Sequence, residues 1–132
     1  MSKQFITRLR KIAGVSPVET VKQAFQNGKA EVDGICENDP DLGKVYGMSY
    51  ELTQKASGLN AEDFKTACDE LESMGPDKLT EVIGMSKAEL ADIVCQEHNI
   101  GVSDKDLSGG ATLSGNTLYI ELYFMGSAQY TD

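Results

Sequence analysis

His98 is the only histidine in the chain, so a hydrolytic triad or a histidine-rich metal site would have to be built on that one ring. The spacing puts it in the last turn of a helix, where an imidazole interacts with the terminal carbonyls and the helix dipole. No G-x-S-x-G nucleophile signature occurs. Cys36, Cys68 and Cys95 are widely separated and never form C-x-x-C, the pattern of reduced, buried thiols in an intracellular protein. Asp33, Glu37, Asp39 and Asp41 invite a calcium reading, because hard cations want several oxygens on a tight loop. Counting from Glu37 as the first loop position, however, puts Leu42 where an EF-hand needs glycine and Met48 where it needs a bidentate glutamate. The expectation is a non-enzymatic protein with no cofactor and no metal.

Leu79–Lys87 joins two short helices through a glycine-containing turn, and over that short stretch it resembles helix-hairpin-helix or SAP-like nucleic-acid modules. Those modules hold a phosphate on backbone N–H groups at a helix N-terminus. Ser86 stands where the second glycine of the motif would be, and Glu81, Glu89 and Asp92 bring the wrong charge for a polyanion. Direct nucleic-acid binding is not expected.

Acidic residues are more promising as a binding surface. Glu62, Asp63, Asp69, Glu70, Glu72, Asp77 and Glu81 lie on neighbouring helical stretches and could imitate a row of phosphates, with Asp69, Glu70 and Glu72 as the chosen contact residues. Tyr119, Tyr123 and Met125 form a second candidate, because they make the outward face of a strand unusually apolar and such residues are enriched in interface cores. Cover by the chain's own helices is the first expectation for that face, and a partner protein the alternative.

Charge distribution agrees with a protein partner. The formal charge of −9 is uneven. Residues 1–30 hold Lys3, Arg8, Arg10, Lys11, Lys22 and Lys29 against Glu19 alone, a net +5, and the remaining residues carry −14. Such a chain is repelled by nucleic acid and anionic membranes and steered toward basic surfaces. The basic N-terminal stretch has no apolar signal-peptide core and no run approaches a membrane span, so a cytoplasmic protein, host or viral, is expected.

The elements that must position these residues follow from periodicity. Phe5, Ile6, Leu9, Ile12 and Ala13 recur at helical spacing up to Gly14. Ser16-Pro17-Val18-Glu19 reads as a capping box opening a second helix, with Val18, Val21 and Phe25 on one stripe and Gly28 as its stop. Lys29–Cys36 reads as a short strand, and Lys44–Ala56 as a third helix interrupted by Gly47. Asn60 caps a helix carrying Phe64, Ala67, Cys68, Leu71 and Met74, Asp77–Ile83 is a short helix, and Ser86-Lys87-Ala88-Glu89 opens the last, ending at Gly101.

The period then changes. Leu118, Ile120, Leu122 and Phe124 alternate with Tyr119, Glu121, Tyr123 and Met125, and Gly115-Asn116 supplies a two-residue hairpin turn that pairs this strand back onto Ala111–Leu113. The strand outruns that partner, so its surplus pairs with another segment such as Ala30–Asp33 or presents an edge to another chain.

The expected fold is therefore α+β and mainly α, a compact bundle of five or six short helices with a small C-terminal antiparallel hairpin. It occupies residues 1–126 as one domain, with 127–132 as a loose tail. The expected function is a protein-interaction module, an acidic accessory or inhibitory protein that binds a basic partner. The alternative is an assembly component that forms a homo-oligomer through its C-terminal strand.

Overall fold

Capping chemistry sets the helix boundaries. In the computed structural model, which describes residues 16–41, 43–102 and 107–125, the first helix α1 (Pro17–Gln26) begins where Ser16 Oγ accepts the Glu19 amide at 3.1 Å with proline in the first turn. Asn60 Oδ1 accepts from the Asp63 amide (2.8 Å) to open α3 (Ala61–Glu72). Pro76 opens α4 (Pro76–Ile83), and Gly84 closes it at φ 78°. The capping box at α5 (Lys87–His98) is complete: Ser86 Oγ accepts the Glu89 amide and the Glu89 carboxylate accepts the Ser86 amide. Asn99, in the left-handed region at φ 53°, ends this helix, two residues before the glycine expected to do so. The helix expected over Phe5–Ala13 and the tail expected at 127–132 lie outside the described residues.

The segment read as a third helix is the main correction. Gly43–Thr53 is strand β2, and only one helical turn, α2 (Gln54–Ser57), follows it. Strand β1 (Glu31–Asp39) extends past the short strand expected there, and β3 (Ser108–Ser114) and β4 (Thr117–Met125) form the C-terminal hairpin. All four make one antiparallel sheet in the order β1-β2-β4-β3. The sheet is central, not a small appendage to a helical bundle. β4 does have more ladder than β3 fills, but its partner is β2, from Val45↔Met125 to Thr53↔Thr117, rather than Ala30–Asp33.

Period-two alternation gives this sheet two unlike faces. One carries Leu118, Ile120, Leu122 and Phe124, each fully buried, with Met48, Tyr50 and Leu52 in register on β2 and Leu113 and Ala111 on β3. The helices lie on this face, and Val21, Phe25, Phe64, Leu71, Leu79, Leu90 and Val94 share its core. Each fully buried Leu or Phe contributes about 1.5–3 kcal/mol. α5 is further pinned to the sheet by His98, whose Nε2 lies 3.0 Å from the Gly47 carbonyl oxygen while its ring meets Tyr46 edge-on, centroids 5.4 Å apart. The imidazole thus links helix and sheet instead of serving its own helix terminus. No described helix is long and apolar enough to cross a membrane.

Candidate functional site: the acidic face of the sheet

The opposite face follows from the same register. Running from β3 to β1, its rows are Thr112, Tyr119, Glu51, Glu31; then Gly110, Glu121, Ser49, Asp33; then Ser108, Tyr123, Gly47, Ile35. A last row holds Met125, Val45 and Glu37, with Asp39 beyond it. None of Tyr119, Tyr123, Met125, Val45 or Ile35 belongs to the helix-side core. Cover by the chain's own helices, the expectation for this face, is not what the described residues show. Tyr119, Tyr123 and Met125 are half-buried among their strand neighbours. Val45 (2% exposed) and Ser49 (7%) lie between the large side chains of β4 and the carboxylates of β1.

The electrostatics of this face are one-signed. Glu31, Asp33, Glu37, Asp39, Glu51 and Glu121 all lie on it, and no lysine or arginine occupies any of its strand positions. Burial pushes the Glu121 carboxyl above its ordinary range, and Glu37 adds to that shift. The Tyr123 hydroxyl is raised in the same way, by burial first and then by Asp39, Glu37 and Glu121. Charge is therefore held here against its own repulsion.

The helical carboxylates behave differently. Asp69 pairs with Lys65 at 3.4 Å on an exposed turn, an arrangement worth under about 1 kcal/mol. Asp77 binds Lys87 at 2.9 Å. Glu72 Oε1 accepts the Leu113 amide at 2.7 Å, so its carboxylate ties α3 to the edge strand β3. Glu70 is exposed beside them. Asp69, Glu70 and Glu72 are thus not a uniform row of free charges, and they share no surface with Tyr119, Tyr123 and Met125. The bond is exposed, so water takes over the Leu113 amide and replacing Glu72 with alanine should cost only about 0.5–1 kcal/mol, whereas Glu72→Gln keeps an acceptor oxygen and most of that. Urea midpoints of the two variants check this.

The remaining candidates are dispersed. Asp33, Glu37 and Asp39 are spread along an extended strand, which separates successive same-face carboxylates by about 6.6 Å instead of folding them around a cation. Among the described residues no group of three or more potential ligands could hold a metal ion. A depression lined by Gln54, Lys55, Gly58, Leu59 and Asn116 offers amides and one cation but no nucleophile. Cys95 precedes His98 by one helical turn, but the His98 Nε2 is engaged by the Gly47 carbonyl.

The cysteines also depart from expectation, since Cys68 is buried, Cys95 half-buried and Cys36 exposed. Burial, then Glu72 and Asp69, push the Cys68 thiol up to about 12. The folded chain therefore keeps a proton that the unfolded chain releases near the ordinary value of 9.0, and stability falls as pH climbs from 9 toward 12. At pH 8, iodoacetamide should label Cys36 and spare Cys68 until denaturant is added, as peptide mass mapping would show.

No family model, curated protein or solved structure matches the chain. The sequence points to Tyr119, Tyr123 and Met125, and to Asp33, Glu37 and Asp39 only as a calcium cluster set aside, while Glu31, Glu51 and Glu121 go unmarked. The signal for the acids of β1 was present as the acid-x-acid alternation from Glu31 to Asp39.

Proposed function

We propose that this protein is a non-enzymatic interaction module whose acidic sheet face receives a basic segment of a partner protein. The observation that carries the reading is the segregation of Glu31, Asp33, Glu37, Asp39, Glu51 and Glu121 around Tyr119 and Tyr123 on a face with no lysine or arginine at its strand positions. Carboxylates steer a cationic partner, and the tyrosine rings offer amphipathic contact area and cation–π partners for arginine. The raised Glu121 carboxyl supports the same reading, because burial and Glu37 disfavour its ionised form and a cation arriving on this face would relieve that.

Titration with a synthetic arginine-rich peptide, followed by tyrosine fluorescence and calorimetry, tests this. Binding should be present at low ionic strength and weaken by about tenfold or more between 50 and 300 mM salt. Peptide binding indifferent to salt would sink the reading. The alternative of self-assembly through the C-terminal strand finds less support, because β4 is paired on both sides, by β2 and by β3.

A further inference from the structure

The two edges of the sheet are treated unequally. At β3, the Leu113 amide is occupied by the Glu72 carboxylate and α3 and α4 lie against the strand. At β1, the opposite edge, Glu31, Val32, Asp33, Cys36, Glu37 and Asn38 are exposed, and Val32, at 54%, is the one exposed large hydrophobic among the described residues. In an antiparallel ladder alternate residues turn their N–H and C=O groups away from the partner strand. The Gly34 amide donates to Asp33 Oδ1 (3.0 Å) and so faces away from β2, which turns the backbone groups of Val32, Cys36 and Asn38 outward with it.

Such an edge accepts a further strand, and its side chains decide which. A second copy of β1 pairing antiparallel about Ile35 would set Glu31 against Asp39 and Asp33 against Glu37, and like charges directly opposite each other repel. A strand bearing lysine or arginine at every second position meets the reverse situation. Its cations fall beside Glu31, Asp33 and Glu37, while its other face offers an apolar residue to Val32.

We infer that β1 is a strand-addition site for an extended, cation-alternating segment of a partner protein. The inference rests on the basic-partner reading above and adds to it the backbone contact that fixes the partner's register. Asp33 keeps the Gly34 amide, so the incoming ladder is made at Val32, Cys36 and Asn38.

The probe is a synthetic peptide of about ten residues alternating arginine and valine, compared with one of identical composition with the arginines in one block. The alternating peptide should bind at least tenfold more tightly, and it should slow amide hydrogen exchange at Val32, Cys36 and Asn38. Cys36→Pro deletes one outward N–H without touching the β2 ladder and should weaken that peptide about tenfold, while Cys36→Ser should not. Should the proline variant not fold, the exchange measurement on the native chain decides. Equal binding of both peptides, with no protection at β1, overturns strand addition but leaves the acidic-face reading standing. Failure of both peptides to bind at low salt overturns both readings.

Discussion

Gly47→Ala should lower the melting temperature by about 10 °C, corresponding to roughly 3 kcal/mol for a domain of this size. A β-carbon at Gly47 would run into the Leu122 carbonyl oxygen and lie 2.6 Å from the Tyr123 α- and β-carbons. Those are backbone atoms and the root of a side chain, so no rotamer change relieves the clash and β2 and β4 must move apart. They form the central pair of the sheet, and their other face holds Met48, Leu122 and Phe124 in the core. Separation there opens the helix-side packing as well. The Gly47 carbonyl is also the partner of His98, so the end of α5 should loosen with it. Gly110→Ala is the control, because a β-carbon there meets open space. Calorimetric melts of the two variants, with exchange rates across α5, give the comparison, and an unchanged melting temperature for Gly47→Ala would show that the strands tolerate the extra carbon.

The second large effect concerns binding. Neutralising Glu37, Glu51 and Glu121 together as glutamines should weaken an arginine-rich peptide by about 100-fold at low salt, taking roughly 1 kcal/mol for each screened charge pair. The same triple variant should be more stable than the native chain at neutral pH. The folded-state carboxyl of Glu121 lies above its ordinary value of 4.5, so the folded protein binds the proton more readily than the unfolded chain. Its contribution is therefore favourable below that value and lost as pH rises through the folded value, which leaves the ionised group destabilising at pH 7. Glutamine removes that penalty, and the gain should vanish near pH 4. Weaker binding with higher stability marks a functional surface, whereas loss of both would mark the carboxylates as structural.

Local chemistry made much of the fold legible. Ser16, Asn60 and Ser86 cap where their side chains allow, and the alternation of Leu118–Phe124 with a Gly-Asn turn yields the observed hairpin, with Gly115 at φ 61°. β2 failed because two periods coexist in it. Val45, Met48 and Leu52 fit a helical stripe, while Tyr46, Met48, Tyr50 and Leu52 fit a strand, and pairing with β4 makes the second one real. Once β2 was misread, the sheet had no centre. The acids from Glu37 to Asp41 then read as a solvated turn, although the two-residue spacing from Glu31 to Asp39 places them on one face of a strand. The helical carboxylates failed for another reason, since nothing in the spacing of Asp69 and Glu72 foretells that one binds Lys65 and the other an edge-strand amide.

The pairing of β2 with β4 also governs how the chain can come to be folded. Its ladder joins Val45 to Met125, with four helices and a third strand threaded between the two partners. During synthesis the N-terminal hairpin and the capped helices emerge first, but the inner edge of β2 stays open until Thr117–Met125 has left the ribosome. Closing so long a loop late makes folding slow and cooperative, and it leaves Met48, Tyr50 and Leu52 in reach of other nascent chains meanwhile. A chain that stops before residue 117 would leave the inner edge of β2 and its apolar face bare, the kind of surface that chaperones bind.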